Sequence, residues 1–187
     1  MAKRTLKKKG KKEWYRVIAP DVFKNQELGE ILAYEAKELI GRHIKQDYSV
    51  ITGNPRDRNK NFTLTITSIV DKKARTEPIS IIFSTPYVQR ASGRSKTRAM
   101  HVGKYKTADD RTVAIKLYLL APNKVTRSVN TSLLKKVDSL LKSKLSKVEA
   151  VKLFELNFVE LLSKELKSKL KTIYPVRSVL FWKVLVE

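Results

Sequence analysis

Asn61-Phe62-Thr63-Leu64-Thr65-Ile66-Thr67-Ser68-Ile69-Val70 is the stretch on which the fold class turns. Phe62, Leu64, Ile66 and Val70 point one way, and Thr63, Thr65 and Thr67 the other. A period of two marks a half-buried strand, and threonine suits the solvent side of a pleated sheet. Asp71-Lys72-Lys73-Ala74-Arg75 turns the chain, and residues 78–83 form the return strand. A second hairpin follows. Residues 97–106 run up, Thr107-Ala108-Asp109-Asp110 turns, and residues 111–121 return with Val113, Ile115, Leu117 and Leu119 on one face.

Outward from these hairpins the signals are more mixed. Residues 13–18 read as a strand stopped by Ala19-Pro20, and residues 24–30 as a turn around Gly29. Residues 31–34 and 39–50 are strand candidates, with a helix competing over 27–40 because Glu, Ala, Lys and Leu favour it. Residues 53–57 are a loop, and 86–95 are either a short helix or a loop. The chain then changes character. Over 128–145, Leu133, Val137, Leu140 and Leu141 share a helical stripe. Ser146-Lys147-Val148-Glu149 has the form of a capping box, which starts a second helix running to about residue 171 with Val151, Phe154, Phe158, Leu162, Leu166 and Leu170 at helical spacing. Tyr174-Pro175 ends it, and a last strand, 176–186, carries Leu180, Trp182 and Val184 on one side. Both helical stripes and Trp182 are expected in the core, whereas Trp14 is either core or a stacking platform.

Many strands, two helices and a final strand define an α+β chain. The expected architecture is a small, mostly antiparallel β-barrel with two long helices packed at one side. Residues 13–187 form a single domain in this reading, preceded by a disordered basic tail, 1–12.

Charge narrows the function. The 187 residues hold 40 Lys plus Arg against 18 Asp plus Glu, a net charge of +22. Such a chain repels itself, and polyphosphate is the partner it fits best. The absence of cysteine excludes disulfides, thiolate zinc sites and thiol nucleophiles. The N-terminus carries no apolar segment of the secretory type, and no window approaches eighteen consecutive apolar residues, so neither a secretory signal nor a membrane span is expected. An anionic membrane surface is the second candidate partner, and no membrane binding is expected because neither helix has a clearly cationic-amphipathic design with an exposed aromatic face.

Catalysis finds little support. His43 and His101 lie on different strand candidates without a usefully spaced carboxylate, and His101 is at most an RNA contact. Asp109-Asp110 suits a hairpin tip better than a metal site. No phosphate-cradling glycine loop is present, and Glu149, Glu155, Glu160 and Glu165 sit among lysines that can pair with them along a helix. The expectation is a non-enzyme with no cofactor and no metal.

Three basic blocks stand out instead. Lys3, Arg4, Lys7, Lys8, Lys9, Lys11 and Lys12 form an acid-free tail that runs into Trp14-Tyr15. Arg90, Arg94, Lys96, Arg98, Lys104 and Lys106 lie in an acid-free stretch, 86–106, where Ser92-Gly93-Arg94-Ser95 lets donors approach phosphate. Lys124 and Arg127, with Lys135 and Lys136, surround the start of the first long helix. Cations spread over three blocks suit a folded RNA held through phosphates, 2′-hydroxyls and shape better than a DNA sequence read by one helix.

The order of several short motifs then becomes informative. Lys12-Glu13-Trp14-Tyr15-Arg16-Val17-Ile18-Ala19-Pro20-Asp21-Val22-Phe23 resembles the opening of the archaeal and eukaryotic small-subunit ribosomal protein family called S-three-a. Gly29-Glu30 with Leu39-Ile40-Gly41-Arg42, Lys106-Thr107-Ala108-Asp109, and Ile173-Tyr174-Pro175-Val176-Arg177 resemble later blocks of that family, in order. Asp109-Asp110 departs from the family's usual Asp-Gly turn, Arg90 and Arg94 are split by Ala91-Ser92-Gly93, and Leu134-Lys135-Lys136 replaces an Ile-Arg-Lys run. The short segment after the last strand points to an archaeal-type member. The resemblance implies a structural, cytoplasmic, ribosome-bound protein on the small-subunit platform. It would contact small-subunit rRNA near its 3′ end and the mRNA exit channel. Neighbouring platform proteins are implied partners, with mRNA as a further one, and no homo-oligomer is expected. The alternative is a free RNA- or DNA-binding protein without sequence specificity.

Overall fold

The computed structural model describes residues 11–23, 25–93, 95–155 and 158–187, with all their side chains except that of Arg56. The described strands are β1 (Glu13–Ile18), β2 (Glu27–Ala33), β3 (His43–Asp47), β4 (Lys60–Val70), β5 (Lys73–Phe83), β6 (Thr97–Lys106), β7 (Thr112–Ala121) and β8 (Ser178–Val186). The helices are α1 (Tyr48–Thr52), α2 (Thr85–Gly93), α3 (Arg127–Leu145) and α4 (Phe158–Leu170).

All eight strands belong to one sheet, and it is not a closed barrel. β5 is the branch point. One edge pairs with β4 along its length. The other edge takes β1, in parallel, at Lys73–Arg75 and β8, antiparallel, at Ser80–Ile82. Two arms thus leave β5 on the same side: β1–β2, and β8–β7–β6. The expected barrel fails for this reason. Two strands share one edge, so the sheet forks instead of curling round, and β2, β3 and β6 remain at its ends. The helices take the place of a second wall. Leu133, Val137, Leu141 and Leu145 of α3 and Leu162, Leu166 and Leu170 of α4 share a core with Phe62, Val113, Ile115, Leu117 and Phe181. Phe62 is fully buried and touches Phe23 and Phe154 edge-on, with ring centroids 5.2 Å and 5.8 Å away. A smaller cluster of Tyr15, Ala33, Leu39, Ile66 and Ala74 fills the β1–β2 arm.

Several local expectations need correction. In β4 the alternation holds through Ile66, and then the register shifts between Ile66 and Ser68. The extra residue turns Ile69 towards the smaller cluster and leaves Val70 51% exposed. β5 begins at Lys73, five positions before the expected start, because Asp71 and Lys72 alone make the turn, with φ of 51° and 60°. Pro78 sits opposite Leu64 beside a second register shift, where a missing N–H is tolerated. Residues 27–33 form a strand, not a turn or helix, and Gly29 lies within it. Residues 55–59 wind into a 3-10 turn, and 85–93 form a helix.

The capping box does not start a helix. Ser146 ends α3, the next turn is 3-10 (Val151–Phe154), and α4 begins at Phe158. The tip of the β6–β7 hairpin accounts for the break. Val148 O accepts from Ala108 N at 3.1 Å, and Ala150 N donates to the Asp109 carboxylate at 3.1 Å, so both groups are drawn out of a helical ladder. In β8 the buried residues are Val179, Phe181 and Val184, whereas Leu180 and Trp182 are only partly buried and pack against the core from its margin. Among the described residues no helix is long and apolar enough to cross a membrane.

Candidate nucleic-acid interface

Lys3, Arg4, Lys7, Lys8, Lys9 and Arg94 lie outside the described residues. The other expected contacts fall into three places. Lys11 and Lys12 are exposed ahead of β1, with Lys12 Nζ 5.2 Å from the centre of the Tyr34 ring. Trp14 is 60% exposed and pairs across the strands with Leu32, which settles its position on the outside.

The second place is a true cluster. Thr97 ties the start of β6 to the approach of α3: its Oγ1 donates to Asn123 O at 2.9 Å and accepts from Val125 N at 3.0 Å. Arg98 Nη1 reaches Ser92 Oγ of α2 at 3.5 Å. These links bring Arg90, Lys96, Arg98, Lys124 and Arg127 to one end of the molecule, all exposed. None of the five has a carboxylate partner among the described residues, whereas Arg16, Lys60, Lys72, Lys142, Lys144 and Lys169 all have one. Cations held together without counter-charge repel one another, and an external polyanion relieves that repulsion. Ser95 lies buried beside them, and its hydroxyl is the one buried side-chain polar atom without a partner among the described residues.

The third place is the far end of β6. Lys104 and Lys106 lie about 20–26 Å along the strand from Arg98, so they are not part of the cluster. Lys104 is paired with Glu187 at 2.7 Å, and Lys106 is exposed.

His101 is partly buried and engaged within the protein. It faces α3, where its Nε2 lies 2.6 Å from Tyr105 Oη, which in turn donates to Asp138 Oδ1 at 2.9 Å. Burial holds the His101 pKa below its ordinary value, although nearby Asp138 opposes this. Hydrogen bonds from Lys142 and Tyr105 hold the Asp138 carboxyl low. The network fastens β6 to α3. Asp109 likewise anchors backbone, and the described residues contain no cluster of three metal-ligating side chains.

Sequence reasoning missed part of the outer face. Lys116 and Tyr118 of β7 share the side opposite Val113, Ile115 and Leu117, and Tyr118 lies 5.8 Å from Trp182. The alternation of β7 already carries this signal. The irregularity in β8 does not announce itself, because Trp182 and Lys183 both read as candidates for either face.

The described part of the chain is thus a forked sheet backed by helices that presents a group of cations without acidic partners among the described residues. The chain belongs to the Ribosomal S3Ae family, whose model matches residues 1–187. The small ribosomal subunit protein eS1 of Halorubrum lacusprofundi is 29% identical over 193 residues, covering 100% of this chain and 87% of the relative. The protein of the same name from Nanoarchaeum equitans is 28% identical over 171 residues, covering 88% and 83%. That of Thermoplasma acidophilum is 24% identical over 184 residues, covering 96% and 86%. The relatives are archaeal, and the chain is an archaeal-type member of the family. Members of this ribosomal family are structural components of the translation machinery, so the chain is not an enzyme.

Proposed function

We propose that this chain is a structural constituent of the small ribosomal subunit, held on the subunit's platform by contacts to rRNA phosphates near the rRNA 3′ end and the mRNA exit channel. In this reading it is cytoplasmic, ribosome-bound and present as one copy beside neighbouring platform proteins. The tail, 1–12, enters rRNA, and residues 13–187 act as one domain that fixes where it starts. The observation that carries the reading is the cluster of Arg90, Lys96, Arg98, Lys124 and Arg127, exposed and without acidic partners in a chain whose whole length matches a ribosomal family. Phosphate is the counter-ion such a cluster fits, because arginine grips it in a bidentate manner and lysine as a point charge.

Sedimentation of cell extract tests this. The protein is expected in the small-subunit fraction at low salt and in the free fraction after a high-salt wash. Recovery in the free fraction at low salt overturns the assignment.

A further inference from the structure

We propose that the outer face of β6, β7 and β8, centred on Tyr118 and Trp182, is a stacking platform for a single-stranded segment of RNA. The proposal rests on reading the chain as an RNA-binding protein, but it concerns a surface that meets the cation cluster only at Arg98 and a different form of the ligand.

A register shift between Lys116 and Leu117 builds this face. Opposite it, β8 carries one extra residue, so Trp182 and Lys183 both turn outwards, while Phe181 and Val184 on either side stay buried. Tyr118 and Trp182 lie with ring centroids 5.8 Å apart and planes inclined at 31°. Lys116 Nζ stands 5.9 Å from the Trp182 ring centre. On the neighbouring strand Met100 lies opposite Tyr118 and Val102 opposite Lys116, and these two side chains are 51% and 52% exposed. Met100 and Val102 are thus exposed beside an aromatic pair that is partly buried, its rings seated against the core and their outer parts reaching solvent.

Charge identifies the occupant. β6, β7 and β8 contain no Asp or Glu, and their outward positions include Arg98, Lys104, Lys106, Lys116 and Lys183. Cations surround apolar and π surface. A duplex hides its bases and can use only the cations, whereas an unpaired strand can lay bases on that surface and phosphates along its border. From Arg98 to Lys106 the border runs about 26 Å, room for several nucleotides.

The test uses the full chain carrying Trp14→Phe, a change at an exposed position, so that Trp182 is the only tryptophan. Oligouridylate and a blunt RNA duplex of equal length are titrated at low salt while tryptophan emission is followed. Oligouridylate is expected to quench Trp182 to saturation, and the duplex to bind without quenching. The surface variant Met100→Ser/Val102→Ser/Lys116→Ser is expected to weaken oligouridylate binding about tenfold and to leave duplex affinity within about twofold. These three side chains are exposed, so loss of the fold does not mimic the result. Duplex binding with no quenching by oligouridylate, or no effect of the triple variant, overturns the platform alone. Failure of both RNAs to bind overturns the RNA-binding reading and the platform with it. Equal quenching by polyglutamate identifies an acidic polypeptide as the occupant and overturns the proposal.

Discussion

Asp110 is a residue at which the backbone favours a different side chain. Its φ is 56°, the left-handed region that glycine enters freely. Its carboxylate is exposed and has no partner among the described residues. Asp110→Gly is therefore expected to stabilise the protein by about 0.5–1 kcal/mol, the steric gain exceeding the extra entropy of the unfolded glycine. Thermal unfolding reads this as a rise of roughly 1–4 °C for a chain of this size, and an unchanged or lower midpoint contradicts it. Asp109 is a different case. Its carboxylate accepts from Ala150 N, so the neighbouring acid is fixed by a tertiary bond. Both acids were legible as turn residues. The long-range partner of Asp109 was not, because nothing local links positions 109 and 150.

At the level of elements, the most informative joint is that between β6 and α3, where His101, Tyr105 and Asp138 meet. Gly103 makes room for it, since a Cβ there would collide with the Tyr105 ring. The ring folds back over the glycine, which lets its hydroxyl reach both His101 and Asp138. Because burial depresses the His101 pKa, the unfolded chain binds this proton more readily than the folded one. The contribution of neutral His101 is thus fully present above its ordinary value, near 6.5, and is lost as pH falls through its lower folded value. Denaturant midpoints should fall with acidification in this range, and His101→Gln should flatten that slope. An unaltered slope would show that other groups control it. The strands themselves were readable wherever one face is buried and no bulge intervenes, as in β7 and the first half of β4. They were misread at bulges, because one added residue exchanges the two faces and leaves composition unchanged. The α3–α4 break was hidden for a related reason. Residues 146–149 satisfy a local helix-start pattern, and a hairpin distant in sequence outcompetes it.

For the whole molecule, charge sets the behaviour most open to measurement. If about five phosphates engage Arg90, Lys96, Arg98, Lys124 and Arg127, affinity for folded rRNA should fall roughly 10²- to 10³-fold between 50 and 200 mM salt. Replacing all five by serine should make the plot of log affinity against log salt shallower by about four units, and an unchanged slope would move the contact elsewhere. The basic blocks were visible in the sequence, but their grouping was not. Three hydrogen bonds through Thr97 and Arg98 decide that Lys96 joins Lys124 and that Lys106 does not. The barrel was inferred from element order, which cannot reveal that β1 and β8 share an edge of β5. That shared edge imposes a timetable on biosynthesis. β8 is the last described strand to be translated, yet it lies between β5 and β7. Until residues 178–186 emerge, the nascent chain holds two unfinished sheets, each with a bare hydrogen-bonding edge open to misassociation. A chain cut short before that point therefore lacks a middle, not merely an end, and should be cleared as misfolded rather than retained as a smaller working copy.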